Sequence, residues 1–224
     1  AADIRMVNAG VGGNTSREGL ARLDRDVLAR HPDIVLVEFG NDLTPDPDRH
    51  VALDEYEANL RRIRDGVTES GEARLVLLTF PPMVDEWHRL YANESMRKNG
   101  GQDACQERYR QRTRQCARAF GCALVDVAVA FRPAMESQGP EAYILPDGVH
   151  LTALGNRLVA DLVIERLSEL VADLLETRER EGRVSLAEGP ARARNHGARP
   201  RDLQFGPRGL GGPPDRGPAG RRRT

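Results

Sequence analysis

An aspartate and a histidine stand three positions apart in Pro146-Asp147-Gly148-Val149-His150-Leu151-Thr152. A catalytic imidazole needs a carboxylate that fixes its tautomer and stabilises the imidazolium. One short loop supplies both here, with Asp147 able to reach His150 Nδ1 and leave Nε2 for a reacting hydroxyl. The same heptapeptide also reads as a surface loop whose Thr152 caps the next helix. Two upstream segments carry further groups of interest. Val7-Asn8-Ala9-Gly10-Val11-Gly12-Gly13-Asn14-Thr15 runs into a glycine turn, and Val37-Glu38-Phe39-Gly40-Asn41-Asp42 ends an apolar run on two polar residues. Glycine lets a backbone N–H approach a ligand closely, and an asparagine amide is a neutral donor at every pH. Taken singly, Gly13 is a strand-to-helix turn that needs positive φ, and Asn41-Asp42 is a polar turn after a strand.

Taken together and in this order, the three blocks resemble the SGNH, or GDSL-type, hydrolases, a family of serine esterases and lipases. The resemblance spans roughly residues 4 to 175. Gly13 matches the second-block glycine, Gly40-Asn41-Asp42 the third block, and Asp147 and His150 the last. It implies a flavodoxin-like three-layer α/β/α fold with a parallel sheet. It also implies roles: His150 as general base, Asp147 as its orienting carboxylate, and the Gly13 N–H and Asn41 amide as the oxyanion hole.

One block has no counterpart. The family's nucleophile sits in a Gly-Asp-Ser motif after the first strand, a few tens of residues before the position matched by Gly13. This chain starts at Ala1, twelve residues before Gly13. The expectation is an N-terminally incomplete domain that lacks the serine and the first, central strand, and is inactive as it stands. That strand would lie between those matched by Ile4–Asn8 and Ile34–Phe39. Ile4–Asn8 should then be the least secure strand, and the domain loosely folded. The third oxyanion donor, the serine's own N–H, is missing too. Ser16 is the nearest remaining serine to Gly13, but it belongs to a helix start.

No cofactor is expected. His31, His50, His88, His150 and His196 show no metal-ligand spacing such as H-E-x-x-H. The expected partner is a small-molecule, glycan or lipid ester. Acetylated sugars, short acyl esters, lysophospholipids and thioesters all suit the resemblance, and oligomeric state is not legible. Two other functions fit: a non-catalytic relative that binds acyl or glycan ligands, and a flavodoxin-like binding module that meets the motifs by accident. The Gly10–Gly13 turn lacks the lysine of a phosphate-binding loop.

The elements that must position these groups follow from periodicity. Thr15 or Ser16 caps a helix with Glu18 in its acidic first turn, and Leu20, Leu23, Val27 and Leu28 recur at helical spacing. Ile4–Ala9, Ile34–Phe39, Leu75–Phe80 and Cys122–Val127 read as strands. The apolar run from Ile34 suits a parallel strand covered on both faces. Asp54 caps a helix carrying Tyr56, Leu60, Ile63 and Val67. Further helices cover Gln102 to Phe120 and Thr152 to Leu175, with a loop holding Pro133, Gly139 and Pro140 between. Strands alternating with helices imply right-handed crossovers and sites beyond the strands' carboxyl ends. Gly13, Asn41 and the segment after Pro81 all follow strand ends, so the motifs should share one rim. Residues 82–101 hold Met83, Trp87, His88, Tyr91 and Met96. They read equally as a pocket lining and as a packed loop, with His88 a surface histidine.

Composition sets the outer bounds. The net charge of −1 hides an asymmetry of −8 over residues 1–176 and +7 over 177–224. An acidic body does not suggest a nucleic-acid enzyme. Lys98 is the single lysine beside 32 arginines, a bias that base composition explains. Residues 1–176 form the expected domain. Residues 177–224, with nine Gly and six Pro, are expected to be a disordered tail. No run of about 18 apolar residues encodes a membrane span. Cys105, Cys116 and Cys122 read as ordinary core or surface residues, and they leave the compartment, cytoplasmic or secreted, open.

Overall fold

Ile34-Val35-Leu36-Val37 is apolar throughout, yet only one face is fully covered: Val35 and Val37 are buried, while Leu36 on the other face is exposed. It forms β1 (Ile34–Val37), which pairs in parallel with β2 (Arg74–Leu78), and β2 pairs in parallel with β3 (Ala123–Val125). The order is β1-β2-β3, with Val35 opposite Leu75 and Leu77 opposite Leu124. This is a computed structural model that describes residues 4–180 and 182, apart from 70, 72 and 91.

The side-chain period of two sorts β2 between two cores. Leu75 and Leu77, with Val35 and Val37, pack under α3 (Leu53–Glu69) and α5 (Gln102–Phe120) through Tyr56, Leu60, Ile63, Val67, Tyr109 and Cys116. Val76 and Leu78, with Val125, pack under α6 (Val127–Gln138) and α7 (Ala153–Arg180) through Val127, Phe131, Leu158 and Leu162. A parallel sheet between two helical layers is the expected α/β architecture. No described helix is long and apolar enough to cross a membrane.

Local signals set several boundaries as the sequence suggests. Thr15 caps α1 (Ser16–Ala21) through a full capping box with Glu18. Asn93 caps the short α4 (Glu94–Lys98), and Gly121, left-handed at φ 64°, ends α5. The Thr152 hydroxyl accepts the Gly155 N–H at 3.1 Å at the start of α7.

Other expectations need correction. Residues 4–10 form no strand: they have no ladder partner among the described residues, and Ile4, Met6 and Val7 are exposed. Strand propensity expresses packing on a pleated, half-buried surface, and no described strand or helix layer offers that surface here. Arg22 holds the segment instead, donating to the Ala9 carbonyl and, at 2.9 Å, to Asn14 Oδ1. The helix after Thr15 is not continuous. Arg22 and Val27 leave helical geometry, so α2 (Leu23–Asp26) and a 3-10 turn at Leu28–Arg30 follow as separate pieces. Asp54 lies in the first turn of α3 rather than at its cap. The expected loop around Pro133 is helix α6, because Asp126 caps it from Oδ1 and buried Val127, Ala128 and Phe131 anchor one face. The last helix runs to Arg180, past the expected domain end at 176. Leu174 is buried, and Arg178 pairs with Asp33 below β1. The tail from 183 onward lies outside the described residues.

Candidate functional site

The His150 loop is held by its own backbone. Asp147 Oδ1 accepts the N–H groups of Val149 and His150, each at 2.9 Å, so the carboxylate is fixed before it meets the ring. Asp147 Oδ2 then lies 2.7 Å from His150 Nδ1. An ionised carboxylate only accepts, so Nδ1 carries the proton and Nε2 of the neutral ring keeps its lone pair. Partial burial pulls the Asp147 carboxyl upward, but the His150 and Val149 N–H groups and the His150 ring hold it down at about 2. The two side chains are 77% and 50% exposed, so Nε2 is open to a substrate.

The loop is pinned from both sides. Leu145 N–H donates to the His150 carbonyl at 2.7 Å, and Ile144 bridges Leu151. Gly148, at φ +77°, accepts the Val84 N–H at 2.9 Å, and a Cβ there would fall 2.4 Å from the Val84 oxygen. Val84 follows β2, so this contact places the dyad at the carboxyl end of the sheet. Residues 82–88 therefore form a packed support, with Met83 buried and Trp87 partly buried against the core. His88 is half-buried. Its Nδ1 accepts the Leu90 N–H at 3.2 Å, and burial together with Arg89 lowers its pKa below the usual histidine range.

Gly13 and Asn41 lie on two segments that the structure joins to each other through Ser16 and Asp42. Asn41 lies four residues past β1, and a Cβ on Gly40 before it would fall 2.2 Å from the Phe80 ring, two residues past β2. Gly13 sits at φ +81°, its carbonyl taking a 2.5 Å bond from Arg49 Nη2. Neither the Gly13 N–H nor the Asn41 side-chain amide bonds to another described residue. Both donors remain available to a ligand.

Asp42 ties these two segments together. Its carboxylate is 1% exposed and accepts from Ser16 twice, from the backbone N–H at 3.0 Å and from the hydroxyl at 2.5 Å. Asn59 Nδ2 of α3 donates to the same hydroxyl at 3.0 Å. Burial raises the Asp42 pKa, and the Ser16 bonds oppose the rise. Ser16 is wholly buried, its hydroxyl donating to Asp42 and accepting from Asn59, so it presents no oxygen to a substrate. It is a structural serine, in keeping with its place at a helix start.

Sequence reasoning missed the groups that hold the site: Asp42, Arg49 and the Val84–His88 support. Asp42 carried a signal, an Asn-Asp pair directly after a strand, which reads equally as a turn. A groove of about 580 Å³ between α1, α2 and α3, lined by Arg17, Leu20, Asn59, Arg62 and Asp65 among others, contains none of the dyad or donor residues.

Residues 2–158 match the GDSL-like lipase/acylhydrolase family. An acetylxylan esterase of Geobacillus stearothermophilus is 31% identical over 164 residues, which cover 70% of this chain and 69% of that protein. An isoamyl acetate-hydrolyzing esterase 1 homolog of Rattus norvegicus is 28% identical over 199 residues, 81% of this chain and 78% of the relative. A solved structure of the Geobacillus esterase superposes with a TM-score of 0.57 at 27% identity, covering 70% and 69% of the two chains. Variants of that esterase described as catalytic mutants replace a serine, a histidine and an aspartate, the last two lying three positions apart.

Proposed function

Since the chain belongs to the GDSL-like lipase/acylhydrolase family, we propose that it cleaves short-chain carboxylic esters, acetyl esters above all, by a Ser-His-Asp mechanism. The observation that carries this reading is the 2.7 Å bond from His150 Nδ1 to a carboxylate already fixed by two backbone N–H groups. Its i, i+3 spacing repeats that of the aspartate and histidine replaced in the catalytic mutants of the Geobacillus esterase. The acetyl preference rests on the two relatives, one named for acetylxylan and the other for isoamyl acetate.

In this reading His150 Nε2 takes the proton from a serine hydroxyl as its oxygen attacks the ester carbonyl. The Gly13 N–H and the Asn41 amide donate to the oxyanion that develops. The imidazolium, held by Asp147, gives its proton to the leaving alcohol, and water repeats the sequence to release the acid. The serine belongs to a Gly-Asp-Ser segment, which does not occur among the 224 residues. On their own these residues should turn over esters at background, since a base without its nucleophile has nothing to activate.

The test compares the 224-residue chain with the same chain preceded by a strand and a Gly-Asp-Ser segment, on p-nitrophenyl acetate and on acetylated xylo-oligosaccharides. Turnover that appears with the segment and disappears on His150→Ala supports the proposal. A folded, segment-bearing chain with no turnover on any acyl ester, but with saturable acyl or glycan binding, would make it a non-catalytic relative.

A further inference from the structure

Two hydrogen-bond donors can stabilise one oxyanion only if their separation is fixed to a fraction of an ångström. Gly13 and Asn41 lie 28 positions apart in sequence, on segments that share no ladder. We propose that Asp42 is the positioning residue that makes them one unit, acting through Ser16; this rests on the oxyanion role given to Gly13 and Asn41 above.

Asp42 follows Asn41 directly, and Ser16 follows Gly13 by three residues. The bonds from Ser16 N–H and Oγ–H to the Asp42 carboxylate thus join the two donor segments close to the donors themselves. The joint is buried, with Thr15, Ser16, Asp42 and Asn59 all 5% exposed or less, so water does not compete for it. A carboxylate is the side chain this joint needs. It accepts both Ser16 protons, while Asn59 donates to the Ser16 oxygen. An asparagine at 42 would lose the charge and set its NH₂ where Oδ2 now accepts the Ser16 N–H at 3.2 Å, donor against donor. The loop after Asp42 closes on itself through Val51 N–H to the Asp42 carbonyl at 3.0 Å. It then returns Arg49 to the Gly13 carbonyl and to Glu18. Arg49 is exposed at 43%, so it is the weaker second strap.

Asp42→Asn and Ser16→Ala should each loosen both donors together. In the 15N-labelled 224-residue chain, the Gly13 amide and the Asn41 side-chain amide should lose order relative to the parent, while the amides of β1, β2 and β3 keep theirs. The double variant should loosen the donors no further than Asp42→Asn alone, because the two residues act through one contact. If Asp42→Asn fails to fold, Ser16→Ala, which keeps the backbone bond to Asp42, carries the measurement. In the segment-bearing chain both variants should lower kcat, Asp42→Asn by about 10- to 100-fold, with KM within about twofold. Donors as ordered in both variants as in the parent would overturn the proposal, whatever the catalytic outcome. So would a fall in kcat matched by an equal rise in KM. Loosened donors in a chain whose parent never turns over would leave the clamp standing and overturn the esterase reading instead.

Discussion

The dyad loop and the donor pair are built on opposite plans. Asp147 and His150 lie three residues apart, hold each other, and take their shape from backbone bonds within positions 144 to 151. Their side chains are largely exposed. Gly13 and Asn41 come from distant segments, and under the proposal above a buried carboxylate, a buried serine and an arginine from a third loop set their relation. A base must swing slightly to move a proton, and it tolerates a local, solvent-facing mount. An oxyanion hole works because it needs no reorganisation as charge develops, so its mount must be stiff.

The largest expected effect separates activity from stability. In the segment-bearing chain, His150→Ala should lower kcat on the order of 10⁴-fold or more. Being on the surface, it should leave stability within about 0.5 kcal/mol. Asn41→Ala should cost about 100- to 1,000-fold in kcat, again with little change in unfolding. A melting curve beside each rate checks both. Should His150→Ala unfold the domain, the dyad loop would be a structural element rather than a mounted base, and the contrast between the two regions would fail.

Gly148 is where the dyad loop meets the segment that follows β2. Gly148→Ala would place a methyl 2.4 Å from the Val84 carbonyl oxygen at a φ of +77°. The strain should cost about 1–3 kcal/mol, and the loop should relieve part of it by moving away from Val84. Expected are a lower urea midpoint and a lower kcat, together with a shift of the His150 ring resonances. A loss of stability with those resonances unmoved would show that the Val84 contact does not aim the dyad.

How far the sequence reached follows the same divide. The 147–150 pairing was legible because it is local: a carboxylate and an imidazole in one turn have few ways to miss each other. The limits of α5 were legible too, since Gly121 stops it by a rule that acts within a few residues. What escaped depends on contacts across the chain. Asp42 and Ser16 are 26 positions apart, and nothing local distinguishes a clamping aspartate from a turn aspartate. Ile4–Ala9 has a strand's composition, yet composition supplies neither a ladder partner nor a covering layer. Pro133 pointed to a loop, but an Asp126 cap and a buried Phe131 outweigh the usual cost of a proline inside a helix.

The smallest expected effect probes the outer strap of the donor pair, through pH. Glu18 accepts the Thr15 N–H at 2.7 Å and the Arg49 guanidinium at 3.0 Å, and Arg49 in turn holds the Gly13 carbonyl. The Thr15 N–H and Arg49, in that order, hold the Glu18 carboxyl down at about 2. A carboxyl whose folded pKa is depressed stabilises the fold above its unfolded pKa, about 4.3, and loses that contribution as pH falls through the folded value. Glu18→Gln keeps an oxygen for the Thr15 N–H and removes the charge that Arg49 meets. Since both side chains are more than 40% exposed, screening limits the pair, and the loss at pH 7 should be about 0.5 kcal/mol. Urea unfolding of parent and variant should show that gap at pH 7 and in low salt, closing between about pH 4 and pH 2. A gap that persists unchanged to pH 2 would assign the effect to the shape of the capping box. Arg49 would then be no strap on Gly13, and Asp42 would carry the donor pair alone.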